Sequence, residues 1–461
     1  MTNGVVRVRM APSPTGYVHL GSARTFLFNL LFARRNGGRL VLRVDDTDLS
    51  RSTPEYEQAI YDGFRWLGHD WDEGPDKGGD FGPYRQSERR DLYRQAAAQL
   101  LEAGAAYRCY CTKEELDAER AEAQRQGRPY KYSRRCLTNR PADWQTRDFT
   151  VRFFIPAGET TFSDLVRGHM RFDNDVLGDP VIVKTDGWPT YNFASPVDDA
   201  LMQITHVFRG EEHLANTPIQ LLIVDALGHR RVEAYAHLPV IVGKDHKKLS
   251  KRLHPEARLG YFQELGYLPE AMVNYLALLG WNPGTEQEFF TFDELVGSFD
   301  VARVQKASAM FDWDKLDWLN GQHIRALSDE ELACRLDAYL PELPEPTRRA
   351  AAPALKERLP RLDKAAELLA YLSRPPAAAE LDEGQREMVR VAAERLEQAD
   401  WTPEAVEQVL DEVGTAQGWS RRKFFSPIRA AIAGHDTPPI HYTLALLPKE
   451  EALARLRKAI E

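Results

Sequence analysis

Near the start of the chain Val5, Val6 and Val8 stand among Arg7 and Arg9, and this β-branched, alternating run predicts a strand over 5–9. A loop rich in Pro, Gly and Ser follows, APSPTGYVHLGS. From about Ala23 the period changes. Phe26, Leu27, Leu30 and Leu31 fall on one face of a helix, which Asn36-Gly37-Gly38 ends. A second strand is predicted over 39–44, and it runs into Asp45-Asp46-Thr47-Asp48. Strand, helix and strand at this length make a βαβ unit, so the sheet should be parallel and the crossover right-handed. Ligands of open α/β sheets bind beyond the carboxyl ends of the strands. The Pro-Gly-His loop and the acidic run both sit there.

From about residue 90 the pattern shifts to helices, a cysteine cluster and short strands such as 149–155. A strand-like segment returns at 180–184, leads into TDGWPTYNFASPVDD, and is followed by a helical run over 214–227. Residues 91–189 therefore read as an insertion between two halves of one nucleotide-binding fold. An apolar strand over 240–242 precedes the basic run Lys247-Lys248-Leu249-Ser250-Lys251-Arg252. After about residue 325 nearly everything is helical. Ser328 with Glu331 forms a capping box. Thr402-Pro403 opens a helix with Val406, Val409, Leu410 and Val413 on one face, and Gly414 is expected to close it. The Pro/Ala-rich stretch 374–379 is the linker candidate of this half.

A chain of 461 residues needs more than one hydrophobic core, since a single core rarely grows past roughly 250–300 residues. No stretch approaches the ~20 apolar residues of a membrane span. The start, MTNGVVRVRM, has no apolar run of the kind that directs secretion. A cytoplasmic enzyme with no membrane partner is expected. A net charge of -9 argues against a surface coated in nucleic acid, although local patches count for more than the sum. Four cysteines are too few for a disulfide framework and fit a reducing compartment.

Gly16 to Ser22 almost spells a P-loop but has Ser22 where the lysine must stand. Phosphate binding must then rest on other groups. Gly16 and Gly21 permit close backbone approach, and His19 offers an imidazole N–H at the positive end of a helix. Taken alone, the loop fits a solvated turn as well, and the basic run fits a solvated patch. Together, in this order and on a βαβ unit, PSPTGYVHLGS and KLSKR resemble the two signatures of class I aminoacyl-tRNA synthetases, the His-Ile-Gly-His and Lys-Met-Ser-Lys-Ser types. Within that class the chain resembles the bacterial glutamyl-tRNA synthetases. The segments RMAPSPTGYVHLGSARTFLFNLLFARRNGG, LVLRVDDTD, GPYRQSERRDLY, TYNFASPVDDALMQITHVFRGEEHLANTP, FDWDKLDWLNGQHIR and LALLPKEEALARLRKAIE carry the likeness along essentially the whole sequence. The Pro-Glu-Pro-Asn-Gly form of the first loop, expected of glutaminyl-tRNA synthetase, is not seen.

The resemblance implies a Rossmann-type parallel-sheet α/β catalytic domain in two halves, 1–90 and 190–252. Between them 91–189 would form an inserted acceptor-end subdomain, followed by a stem-contact region at 253–325 and an all-α anticodon-binding region at 326–461. It implies that ATP activates L-glutamate as glutamyl-adenylate, and that the glutamyl group then passes to the 3' end of glutamate tRNA. Mg²⁺ would bridge the phosphates, and a monomer that binds no DNA is expected. By resemblance His19 and Gly21 contact ATP, Lys248, Ser250 and Lys251 reach the leaving phosphates, and Glu212 holds the adenosine. Arg9 faces the side-chain carboxylate of glutamate with Tyr191 beside it. Arg209 faces the α-carboxylate, Asp45 takes the α-amino group, and Ala11 and Ser13 line the pocket. The family usually has Glu at the position of Asp45, which implies a longer or water-bridged contact. Arg361, Arg429, Thr437 and Pro438 are the candidates for contact with the tRNA anticodon. The alternatives are an enzyme that also glutamylates glutamine tRNA and, from another class, a non-catalytic tRNA-binding paralogue.

Cys109, Cys111 and Cys136 read as three zinc ligands, since thiolates at i and i+2 can face one metal. The other reading is a former zinc site of three reduced cysteines. Where some relatives place a histidine this chain has Thr138, and Tyr132 resembles the alternative fourth ligand of related enzymes.

Overall fold

A computed structural model describes residues 4–249, 254–376, 379–434 and 436–461. Strand β1 (Arg7–Met10) and strand β2 (Arg39–Leu42) pair in parallel, with Arg7 opposite Arg39 and Met10 opposite Leu42. The helix Leu20–Arg35 joins them and starts earlier than its apolar stripe suggested, because Leu20 and Ala23 are also buried. Its exit depends on two glycines. Gly37 takes a left-handed φ of 60°, which favours glycine. A Cβ on Gly38 would lie 2.4 Å from the Val6 carbonyl oxygen, so only a residue without one lets the chain return beside β1.

Beyond β2 the insertion contributes β3 (Ala106–Cys109) and β4 (Thr150–Phe153), the hairpin of β5 (Glu159–Asp164) and β6 (Gly168–Asp173), and β7 (Val181–Val183). The order β3-β4-β7 is an antiparallel sheet. The hairpin does something different. After β8 (His206–Gly210) and β9 (Ala234–Leu238), the second sheet runs β6-β5-β9-β8, with β9 parallel to both β5 and β8. Thus β5, from the segment expected to be an insertion, extends the parallel sheet of β8 and β9. At the other edge β1 lies against β8, where the Thr205 N–H donates to the Arg7 carbonyl at 2.8 Å. Strand β10 (Ile241–Val242) pairs in parallel with β11 (Ala309–Met310). Val8, Leu40, Val41 and Leu42 are wholly buried, as expected of parallel strands covered on both faces.

Two compact units divide the chain. Phe262–Ala271 joins Trp313–Glu461 in the second, and the remainder forms the first. The second unit thus includes a short earlier segment, because Leu268 and Ala271 are buried in one core with Leu336, Leu355, Val389, Leu410 and Ile428. Its longer segment begins at Trp313, inside the region expected at 253–325. Its described elements are helical. The Ser328 capping box forms, with the Glu331 N–H donating to Ser328 Oγ at 3.1 Å and the Ser328 N–H to Glu331 Oε2 at 2.8 Å.

Gly414 does not end its helix. The helix Pro403–Gln417 runs through it and stops at Gly418, whose φ is 67°. Gly414 is instead a packing position, where a Cβ would sit 3.4 Å from the Trp419 carbonyl oxygen and 3.6 Å from Phe424. Among the described residues no helix is long and apolar enough to cross a membrane. Because a non-glycine residue pays about 1–2 kcal/mol in the left-handed region, Gly418→Ala is expected to lower stability by about 1 kcal/mol. Urea unfolding followed by helical circular dichroism would check this, and an unshifted transition would contradict it.

Candidate active site

A cleft of about 630 Å³ opens at the carboxyl ends of β1, β2, β8 and β9. Every residue expected to act in catalysis or to bind glutamate or ATP, and that the structure describes, lines it: Arg9, Ala11, Ser13, His19, Gly21, Asp45, Tyr191, Arg209, Glu212 and Lys248. Ser250 and Lys251 lie outside the described residues. The convergence follows from strand order. Beyond the strand ends the ladder continues, with the Arg43 N–H on the Met10 carbonyl at 2.9 Å and the Asp45 N–H on the Pro12 carbonyl at 3.0 Å. This brings Asp45 beside the loop that carries Ala11 and Ser13.

One side of the cleft is a buried charge network. Arg9 Nε donates to both oxygens of Asp199 at 3.2 and 3.4 Å, and its Nη1 to the Phe208 carbonyl at 3.2 Å. No hydrogen bond to a described residue holds its Nη2, which leaves a donor for a ligand. Arg43 is fully buried. It donates to Asp199 Oδ1 at 2.7 Å, to both oxygens of Asp45 at 2.7 and 3.3 Å, and to Ser195 Oγ at 3.3 Å. The neighbouring Asp198 accepts from Arg89 Nε at 2.6 Å and from Gln86 Nε2 and Tyr93 Oη, each at 2.8 Å. Buried charges persist only when paired and hydrogen-bonded, and here three arginines meet three aspartates. Burial pushes the Asp45 carboxyl up to about 6 although Arg43 opposes it.

Arg209, from β8, uses its whole guanidinium. Nε donates to His237 Nε2 at 3.1 Å, Nη1 to Tyr191 Oη at 3.1 Å and Gln220 Oε1 at 2.8 Å, and Nη2 to Thr217 Oγ1 at 2.7 Å and the His213 carbonyl at 3.4 Å. Burial, with help from Arg209, lowers the His213 imidazole to about 4 and keeps it neutral.

The other side is looser. His19 is the N-cap of the helix Leu20–Arg35, with extended backbone and no side-chain cap bond, and the first turn carries no acidic residue. Helix-start N–H groups left uncapped suit an anion. Lys248 Nζ lies 3.2 Å from Glu212 Oε1, and both side chains are about half exposed. Such pairs contribute about 0–1 kcal/mol, so a phosphate can draw the ammonium away.

Apart from the cleft, Cys109, Cys111 and Cys136 place their sulfurs within 4.8 Å of one another, the only such group of three possible metal ligands among the described residues. Tyr132 Oη lies 3.4 Å from Cys109 Sγ and 3.3 Å from Cys111 Sγ, and Cys111 and Cys136 are 3.5 Å apart. Zinc–sulfur bonds of about 2.3 Å in a tetrahedron put sulfurs roughly 3.8 Å apart, so the three thiols suit the ion, with the Tyr132 hydroxyl beside them. Arg152, 4.0 Å above the Tyr132 ring, would offset the negative charge of three thiolates.

In the second unit Arg429 Nε donates to Thr437 Oγ1 at 3.2 Å, and Thr437 is wholly buried beside Pro438. Arg361 is held by Asp363 at 3.1 Å and lies over the Tyr267 ring at 5.6 Å.

Sequence reasoning assigned no role to Arg43, Arg89, Asp198, Asp199, Thr217 or His237. One signal was present. The adjacent aspartates of FASPVDDALM sit in an otherwise apolar helix, and two carboxylates there can be buried only against arginines.

Residues 5–318 match the family described as tRNA synthetases class I (E and Q), catalytic domain, and residues 331–460 match the anticodon binding domain family. The glutamate–tRNA ligase of Acidothermus cellulolyticus is 47% identical, over 98% of this chain and 95% of that one. That of Symbiobacterium thermophilum is 44% identical, over 98% and 99%. A crystal structure of a glutamate tRNA ligase from Elizabethkingia meningosepticum, in complex with its amino acid, is 32% identical, covers 99% of each chain and superposes with a TM-score of 0.87.

Removing one member of a buried ion group leaves the others uncompensated, at a cost of about 3–5 kcal/mol. Asp198→Ala is therefore expected to destabilise the first unit by that amount, read from its thermal transition, and an unchanged melting temperature would show the network to be dispensable.

Proposed function

The chain belongs to the class I tRNA synthetases for glutamate and glutamine and joins glutamate to tRNA at the expense of ATP; from that premise we propose how its residues divide the work. The observation that carries the reading is the meeting of His19, Lys248, Arg9 and Arg209 in one cleft, two cationic arginines on one side and the phosphate-attracting groups on the other.

Glutamate lies with its side-chain carboxylate on Arg9 Nη2 and Tyr191, and its α-carboxylate towards Arg209. Planar guanidinium forks suit both. Tyr191 moves off Arg209 to admit the ligand. Asp45, held by Arg43, meets the α-ammonium. The α-carboxylate oxygen attacks the α-phosphorus of ATP, the bond to the bridging oxygen breaks, and pyrophosphate leaves with the electron pair. His19 and the helix start take the phosphate charge, Lys248 follows the leaving group, and Glu212, released by Lys248, turns to the ribose. Gly21 lets the backbone approach. In sequence Ser250 and Lys251 complete the same signature. A terminal ribose hydroxyl of the tRNA then attacks the glutamyl carbonyl carbon, and AMP leaves. No enzyme nucleophile takes part, so catalysis is positioning and charge neutralisation. Magnesium bound to the ATP phosphates would enter as part of the substrate and neutralise charge on the leaving pyrophosphate.

Residues 91–189 serve the acceptor end of the tRNA and residues 326–461 its anticodon. There Arg429 forms one contact point and Arg361 selects at a second; Thr437 and Pro438, expected as contacts, are buried and instead position Arg429. The cysteine cluster with Tyr132 holds a structural zinc, remote from the chemistry.

Charging assays with both tRNAs test the whole reading. Glutamate tRNA is expected to be glutamylated and glutamine tRNA not, whereas equal charging would favour the non-discriminating alternative. Arg9→Gln replaces a cation by a neutral amide and is expected to raise KM for glutamate by about tenfold or more. An unaltered KM would remove Arg9 from the site. Protein purified without chelators should carry stoichiometric zinc by atomic emission, and Cys136→Ser should lose it. A zinc-free wild-type protein would restore the reading of three reduced cysteines.

A further inference from the structure

The fully engaged guanidinium of Arg209 is itself held from behind. His237, on β9, is completely buried and presents Nε2 to Arg209 Nε at 3.1 Å. Its Nδ1 lies 2.5 Å from Asp164 Oδ2, and both side chains are wholly enclosed. The tautomer follows from donor chemistry. Arginine has no acceptor, so Nε2 must carry a lone pair and Nδ1 the proton, which it donates to Asp164. Burial lowers the His237 imidazole, although Asp164 opposes that, and the neutral form fits both contacts.

Asp164 is fixed as tightly. It ends β5, and its Oδ1 accepts from the backbone N–H groups of Val166 at 2.9 Å and Arg167 at 2.7 Å, in the turn to β6. Its Oδ2 also accepts the His237 N–H at 3.2 Å. Every neighbour of this carboxylate is a donor. The same turn is tied down by an ion pair between Arg167 and Glu211, and Glu211 accepts the Val240 N–H at 2.9 Å. Thr217 completes the cradle, accepting from Arg209 Nη2 while lying 3.1 Å from His237 Nε2.

We infer that Asp164 and His237 are positioning residues for amino-acid recognition: the inserted β5–β6 hairpin joins the catalytic sheet beside β9, sets the tautomer of His237, and so aims Arg209 at the α-carboxylate of glutamate. This rests on the proposed role of Arg209. A second consequence is that the insertion, besides serving the tRNA, supplies part of the scaffold of the glutamate pocket.

Steady-state aminoacylation by the full chain tests it, with KM for glutamate and for ATP measured separately and melting curves recorded for each variant. His237→Leu removes the acceptor and is expected to raise KM for glutamate by about tenfold or more, since a hydrogen bond to a charged group is lost, while KM for ATP stays within about twofold. His237→Gln, whose amide oxygen can stand near the Nε2 position, should lie closer to wild type than to the leucine variant. Asp164→Asn puts a donor against Nδ1, drives the imidazole proton to Nε2 against the Arg209 N–H, and should act like His237→Leu at nearly unchanged volume. It also carries the test if the leucine variant does not fold. Arg209→Gln is the control. If it raises KM for glutamate while folded His237→Leu or Asp164→Asn does not, the inference fails and the α-carboxylate reading stands. If Arg209→Gln itself leaves KM unchanged, that reading fails and takes the inference with it. Parallel rises in both KM values, or a glutamine variant no better than leucine, would overturn the inference by showing His237 to be merely structural.

Discussion

Arg43 has no access to water, and the side of the cleft that carries Arg9 and Asp45 is arranged around that buried cation. Its guanidinium reaches Asp45 at the end of β2 and Asp199 on the helix Tyr191–Leu201, and Asp199 in turn grips Arg9 from β1. Three elements from distant parts of the sequence are thereby locked in one register. Desolvating a guanidinium is costly unless carboxylates surround it, and the same carboxylates, once fixed, leave Arg9 with a donor to spare. Charge compensation in the core and ligand recognition at its surface are one arrangement of atoms.

The two sides of the cleft are built to different stiffness. Around Arg9, Arg43 and Arg209 nearly every donor and acceptor is buried and satisfied, which suits a pocket that must distinguish glutamate from close analogues through unpaired polar groups. Across the cleft, Lys248 and Glu212 form a half-exposed pair of small worth, and the helix start is left without a side-chain cap. Such groups can re-pair with phosphates without breaking the core. The side of Arg9, Arg43 and Arg209 is preorganised, and the side of Lys248 and Glu212 can exchange its partners.

The inserted segment is less separate than an insertion suggests. One of its sheets, β3-β4-β7, stands apart and carries Cys109 at the end of β3, while its hairpin joins the catalytic sheet through β5 and β9. A structural metal would stabilise the first part, whose small core gathers Tyr110, Tyr132 and Cys136. The second part is held by ordinary strand pairing and by the donors around Asp164.

Much of this protein could be read from residue order alone. The βαβ start, the loop of His19 and Gly21, the basic run with Lys248, and the capping box of Ser328 are local: each is set by side-chain periodicity, backbone freedom or a contact within a few residues. For the same reason the cysteine trio could be found by spacing. The end of the helix Pro403–Gln417 was misplaced, because two glycines four residues apart offer the same local freedom, and only packing against Trp419 and Phe424 decides that Gly414 stays helical while Gly418 turns. Tertiary structure alone decided which carboxylates face which arginines. Asp164 and His237 are 73 positions apart and meet at 2.5 Å; nothing in either neighbourhood marks them, since a buried ion's partner is chosen by the fold that excludes water around it.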